Sequence, residues 1–467
     1  MTDAAVTMDF HPQPAPGQAK PWVFPVPERG ALGNGLTVLR CHRPGQQVVA
    51  VQICLDMPLD AEPDGLDGIA AIMMNALSEG TSKRTAEEFA AEMERCGATL
   101  DASADYPGAR VSLKVPISRL PKALGLLAEA LRTPTFPSSE IERLVRNRLD
   151  EIPLEMANPG RRAAKQLAQQ LFPASARLSR PRKGTGDTVA RIDAAAVRAF
   201  YQAHLRPATA TAIVVGDLTG AGLDAVLAGT LGGWTGDAAG PVPMPPVNAD
   251  DAGRVVIVDR PGAVQTQLLI GRTGPDRHDR VWPALVLGTY CLGGTLTSRL
   301  DRVLREEKGY TYGVRAFQRV LQSPAPHAAG RTAGMSVLAI SGSVDTASTG
   351  PALNDVWTVL RTLAAQGLSE TERDTAVQNL VGVAPLEYER AASVAGTLAD
   401  QVEQHLPDDY QAQLYARLAE TGTAEATAAV IAAFPANRLV TILVGDASQI
   451  TAPAKTLGIG DVEVVTG

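Results

Sequence analysis

The chain contains one pattern twice, and the repetition limits its fold more than any other feature. HRPGQQVVAVQICLDMP begins at His42 and DRPGAVQTQLLIGRTGP at Asp259, an offset of 217 residues. Arg43-Pro44-Gly45 corresponds to Arg260-Pro261-Gly262, and Pro58 to Pro275. A strand-like run precedes each copy, GLTVLRC in the first half and RVVIVD in the second. The endings also match: TATAIVVGDLTG (209–220) resembles LVTILVGDASQ (439–449), each an apolar, β-rich run stopped by Gly-Asp. Ahead of each ending stands an Ala-rich helical stretch, AAAVRAFYQAHL and AEATAAVIAAF. A chain of 467 residues is too long for one ordinary core, and a duplicated one folds as two similar units.

Inside each unit, strand and helix patterns alternate. ATLDASADYPGARVSLKV predicts a hairpin around a Pro-Gly turn, and RLPKALGLLAEALRTPTF sets Leu120, Leu124, Leu127, Ala128 and Leu131 at amphipathic-helix spacing. In the second half MSVLAISGSV is followed by the helix-like ALNDVWTVLRTLAAQGL. The expectation is an α+β fold of two homologous α/β sandwich halves, each an antiparallel-rich sheet covered by helices. The boundaries fall at an N-terminal extension over 1–28, a first domain over 29–235, a linker over 236–253 and a second domain over 254–467. Pro241, Pro243, Pro245 and Pro246 favour an extended linker.

Composition narrows the functional classes. Lys and Arg number 43 against 50 Asp and Glu, a net charge of −7, and no basic stripe stands out, which argues against a nucleic-acid partner. No apolar run reaches the roughly 18 residues of a membrane span. The first residues, MTDAAVTMDFHPQPAPGQAKPW, lack the basic head and apolar core of a secretory signal, so a cytoplasmic location is expected. Cys41, Cys54, Cys96 and Cys291 show no C-x-x-C spacing and read as buried small hydrophobes. No two of the six histidines lie three or four apart, so no helical His pair can bind metal.

GLDGIAAIMMNALSEGT (65–81) reads as a short helix closed by a Gly-Thr turn. It is framed like an inverted zinc-peptidase helix, H-x-x-E-H, but the three letters fall on Ala71, Met74 and Asn75. Zinc needs imidazole or carboxylate donors on one helix face, and alanine and methionine supply neither. Further words are NGLTVL, SEGT at 78–81, FPSSEIERLVRNRLDEI at 136–152 and CLGGTLTSRLDRVLREEKGYTYGVRAF at 291–317. Together, from Leu32 to Asp446, the chain resembles the short two-domain branch of the pitrilysin/insulinase family of zinc peptidases, whose halves form a clamshell. The family's spacing to its third zinc ligand, counted from Asn75, lands 76 residues on at Glu151. One carboxylate cannot hold zinc and Met74 cannot activate a water. Glu151 is therefore read as a solvated or salt-bridged helix residue, and no cofactor is expected in this chain.

The resemblance also implies a second constellation, an arginine and a tyrosine seven residues apart, which falls on Arg305 and Tyr312 in LREEKGYTYGV. In such a family they would orient the scissile bond at a partner subunit's zinc. Locally, Arg305 is expected to close a helix, Gly309 to permit a sharp reversal and Tyr312 to open the next strand. Both side chains can donate to a peptide carbonyl or an oxyanion. The plainer alternative is a helix-terminal Arg serving the dipole and a strand Tyr packing a core edge. Strand alternation would place Tyr310 and Tyr312 on one face. The loop Leu292-Gly293-Gly294-Thr295 is not a phosphate loop, since no lysine follows. Gly293 and Gly294 are expected to let backbone lie close to an extended peptide or to the opposite half.

These features predict a non-catalytic, substrate-binding subunit of a heterodimeric zinc metallopeptidase. Its partner would be a homologous chain carrying H-x-x-E-H and zinc. Its substrates would be peptides, precursor or leader peptides among them, and alone it could form a homodimer. Two other readings stand beside this one. One is a structural, assembly or peptide-binding protein of the same fold with no role in hydrolysis. The other is an independent hydrolase built on Glu151 and a distant histidine, for which no triad-like arrangement is visible.

Overall fold

The computed structural model describes residues 22–236, 252–323 and 334–466. Nearly all of the expected 236–253 linker, and residues 1–21 of the N-terminal extension, lie outside the described residues.

The first sheet contains β1 (Glu28–Ala31), β2 (Thr37–His42), β3 (Val48–Leu55), β4 (Thr99–Asp105), β5 (Gly108–Pro116) and β6 (Ala210–Gly216), in the order β1-β2-β6-β3-β5-β4. The second contains β7 (Arg254–Asp259), β8 (Gln265–Gly274), β9 (Val314–Gln322), β10 (Met335–Asp345), β11 (Val440–Gly445) and β12 (Asp461–Thr466), in the order β12-β7-β11-β8-β10-β9. Five of the six positions correspond one for one, including a parallel pair at β2/β6 and at β7/β11. The outer edge breaks the repeat: β1 precedes β2 and runs antiparallel to it, whereas β12 closes the chain and runs parallel to β7.

The two repeated words of the sequence turn out to be parts of one device. In the first half, the Arg43 N–H donates to the Gly216 carbonyl at 2.7 Å and the Gly45 N–H to Asp217 Oδ2 at 2.9 Å. In the second, the Arg260 N–H donates to the Gly445 carbonyl at 2.8 Å and the Gly262 N–H to Asp446 Oδ2 at 3.1 Å. Each Arg-Pro-Gly turn is thus pinned by the Gly-Asp that ends the neighbouring parallel strand. Gly45 and Gly262 take φ of 80° and 73°, which is why the third letter of the turn is glycine.

The sheets are covered reciprocally. Val49, Val51, Ile53 and Leu55 face the first half's own helices, among them Leu120–Arg132. The opposite face, with Leu39, Cys41, Ala50, Cys54, Ile213 and Val215, lies under Val394, Ala395 and Leu398 of the helix Ala391–Glu403, which belongs to the second half. In turn the helix Pro159–Leu171 of the first half lies across β8 and β11, putting Ala163, Leu167 and Leu171 in one core with Leu269, Val440, Ile442 and Val444. The central strands are apolar on both faces for this reason. The two halves together form a clamshell.

The expected hairpin is present, but its turn is Tyr106-Pro107 rather than Pro-Gly. Asp105 pairs with Gly108, which already belongs to β5. A Cβ on Gly108 would stand 2.8 Å from the Leu55 carbonyl oxygen, so this glycine serves strand packing and not the turn. The N-terminal lead-in is anchored from Trp22 onward: Trp22 stacks on Tyr388 at 5.7 Å, and Phe24 is buried edge-on to the same ring. All four cysteines are buried free thiols. Among the described residues, no helix is long and apolar enough to cross a membrane.

Candidate functional site

The motif stretch forms the helix Ile69–Ala76. Its start is fixed by Gly68, at φ 101°, and by the buried Glu62, whose Oε1 accepts from the Gly68 and Ala70 N–H groups at 2.9 and 3.1 Å. Burial pushes the Glu62 carboxyl up while Arg177, in contact at 2.8 Å, pulls it back. Arg180 holds Asp67 at 2.6 Å beside the same helix start. Nothing local marks these partners in the sequence, because they lie more than a hundred residues apart. The basic run Arg177-Leu178-Ser179-Arg180-Pro181-Arg182-Lys183 was the only signal available.

On this helix Ala71 and Met74 belong to the buried core, Met74 at 1% exposure, and Asn75 is exposed. Glu151, on the helix Ser138–Ala157, has a side chain 53% exposed and accepts from Arg148 at 3.1 Å. Arg148 is itself buried and also binds Glu155 at 2.8 Å. The retained carboxylate is therefore an ion-paired surface group. Among the described residues no cluster of three or more His, Cys, Asp or Glu could hold a metal ion. The side chains at the motif positions do not fit zinc: one methyl group, one thioether in the core and one amide offer no set of anionic or imidazole donors.

The second constellation lies where the helix Trp282–Gly293 passes into β9. Gly293 and Gly294 end that helix, and their role differs from the expected one. A Cβ on Gly293 would meet Ala316 N at 2.5 Å, and one on Gly294 would meet the Tyr290 ring at 2.4 Å. Both glycines permit close packing within their own half, and neither close approach is to the opposite half. Arg299, just beyond, is gripped by Glu372 at 2.6 Å.

Arg305 lies in a widened, π-type turn over Arg302–Glu307, with its guanidinium 2.9 Å from Glu306. The chain then reverses at Gly309, φ 66°, and the Tyr310 N–H returns to the Leu304 carbonyl at 2.9 Å. Tyr312 does not open the strand. β9 begins two residues later, at Val314, whose N–H is held by the fully buried Asp301 at 2.8 Å. The shared strand face expected for the two tyrosines is therefore absent: Tyr310 packs partly on the second core, while Tyr312 is 94% exposed. The loop presents the Tyr312 phenol to solvent, with the Arg305 turn at its base.

Between the halves, the helix Pro159–Leu171, residues 178–183 and strands β8, β9 and β10 line a cavity of about 580 Å³. Its floor includes Leu167, Leu269, Leu321, Val337 and Ala339, and its rim is dominated by Arg and Lys. β9 is the last strand of its sheet, so among the described residues one of its backbone edges has no strand beside it.

A two-half clamshell with a helix in the zinc-motif position and a loop at the Arg-Tyr position defines a peptidase-like protein. Residues 37–182 match the Insulinase (Peptidase family M16) family, and residues 191–380 match the Peptidase M16 inactive domain. An uncharacterized zinc protease of Streptomyces coelicolor is 26% identical over 298 residues, 62% of this chain and 64% of its own length. The zinc protease YmxG of Bacillus subtilis, also uncharacterized, is 22% identical over 367 residues, 78% of this chain and 85% of its own. A crystal structure from Pseudomonas fluorescens, described as a peptidase M16 inactive domain, superposes with a TM-score of 0.79 at 22% identity, covering 90% of this chain and 98% of the other. The chain belongs to the pitrilysin/insulinase family, peptidase family M16.

Proposed function

We propose that this protein is the non-catalytic, substrate-gripping member of a two-chain zinc peptidase. The partner would be a homologous M16 chain that carries H-x-x-E-H and binds the zinc. The observation that carries the reading is the state of the motif helix. It is folded, capped by Glu62 and packed, yet Ala71 and Met74 are core hydrophobics where ligand and general base would stand. Such a helix keeps the clamshell intact and contributes no hydrolysis of its own. Arg305 and Tyr312 would then reach a peptide held at the partner's metal, both as hydrogen-bond donors to the carbonyl that becomes an oxyanion. The exposure of Tyr312 supports this, since a side chain serving only the core would be buried. Peptides, precursor or leader peptides among them, are the proposed substrates, and a cytoplasmic setting goes with them.

The test is reconstitution. The chain is expressed alone and with an H-x-x-E-H homologue from the same genome, and zinc content and cleavage of a quenched peptide are measured. Inactivity without stoichiometric zinc alone, and activity in the mixture, are expected. Tight zinc in the isolated chain, or a mixture no more active than the partner alone, overturns the reading.

A further inference from the structure

The cavity between the halves has a charge that the whole chain does not share. The chain carries −7, but seven of the cavity's lining residues are cationic and one, Glu155, is acidic. Most of the cations are partly neutralised. Arg148 and Arg161 meet Glu155 at 2.8 and 2.6 Å, Arg180 meets Asp67 at 2.6 Å, and Arg182 and Arg319 share Asp105 at 2.5 and 3.1 Å. Lys165 and Lys183 have no ion-pair partner among the described residues, and both line the cavity. Counting Glu151 with Arg148, seven cations face four carboxylates around an apolar floor.

The floor and the edge add shape to the charge. On β9, alternate residues Phe317, Arg319 and Leu321 face the cavity, while Val314 and Ala316 belong to the second core. Phe317 is 40% exposed, on a strand whose outer edge pairs with no other strand among the described residues. An extended peptide laid along that edge would place alternate side chains over the apolar floor and its carboxylates by the lysines.

We infer that this cavity is a subsite selective for extended peptide segments carrying acidic side chains between apolar ones. The inference rests on the peptide-gripping reading above and names the substrate class for it. A basic peptide meets repulsion at the rim, so the selectivity works in both directions.

The experiment uses the full chain and two fluorescein-labelled peptides, a Gly-Ser-Glu-Phe repeat and its Gly-Ser-Lys-Phe counterpart, with binding followed by anisotropy. At low salt the acidic peptide is expected to bind about tenfold tighter or more, with the advantage shrinking as salt screens it. Lys165→Glu/Lys183→Glu disturbs no ion pair seen in the structure, and its folding is checked by thermal melting. It is expected to reduce the ratio by about tenfold. Equal affinities, tighter binding of the basic peptide, or an unchanged ratio in a folded double variant overturns the inference. Charge-blind binding refutes the selectivity alone, and failure to bind either peptide refutes the gripping reading with it.

Discussion

Leu167→Ala tests the exchange of helices between the halves. Leu167 lies on the Pro159–Leu171 helix of the first half, but it packs in one core with Leu269 and Ile442 of the second sheet. Its Cδ2 lies so close to the β8 backbone that a Cβ on Gly271 would stand 3.3 Å from it. Truncation to alanine removes about three carbon groups at roughly 0.8 kcal/mol each, or about 2.4 kcal/mol of transfer free energy. A rigid void would add about 1–2 kcal/mol, but the site borders the 580 Å³ cavity and can partly relax into it. The expected loss is about 3 kcal/mol, read from urea unfolding. The location of the loss is more telling than its size. Hydrogen exchange is expected to accelerate in β8 and β11, some hundred residues and more along the chain, more than in β3 and β6. Leu398→Ala, on the reciprocal helix, should show the reverse pattern. A cost under about 1 kcal/mol, or faster exchange confined to the first sheet, would refute the reciprocal covering.

Other outcomes follow from the same geometry. Tyr312→Phe and Arg305→Ala are expected to lower turnover of the reconstituted pair by about 10²-fold or more, the usual loss for one oxyanion donor, with the melting temperature unchanged. Wild-type turnover in both would favour a purely structural role. Met74→Glu places a carboxylate in the core and is expected to cost about 3 kcal/mol or more at neutral pH. Burial would raise that carboxylate's folded pKa, so stability should recover as pH falls and the group protonates; equal stability at pH 5 and 8 would contradict this. Burial pushes the Glu372 carboxyl up, but hydrogen bonds from Arg299 and Ser369 hold it down at about 2 against an ordinary 4.5. Its contribution is full above pH 4.5 and is lost as pH falls towards 2. Acid titration of Glu372→Gln should therefore show a flatter loss in that window, and an unchanged slope would remove Glu372 as the anchor of Arg299.

Much of the fold was legible because strands announce themselves locally. The Arg-Pro-Gly and Gly-Asp words each occur once in either half, and in both halves they are joined by the same pair of hydrogen bonds, one to the Gly carbonyl and one to the Asp carboxylate. The hairpin was legible and its turn was not, because the need for glycine at 108 comes from Leu55 on a different strand. Glycines 293 and 294 misled for the same reason: a glycine in the sequence shows that something approaches closely, without showing what. Tyr312 stands in the loop before the strand rather than opening it, since β9 starts only where Asp301 captures the Val314 N–H.

The sequence by itself determined the duplication, the layered class of each half and the missing zinc donors. These depend on residue identity and short-range periodicity, which no packing can alter. Only the tertiary structure decided which helix covers which sheet, that Glu62, held by Arg177, caps the motif helix, that Tyr312 stands in solvent, and that the cations of 148–183 gather over an apolar floor. An apolar strand must be covered, but its own residues do not specify the cover. That choice belongs to contacts between segments far apart in the chain, and the charge of the cavity is set by the same contacts.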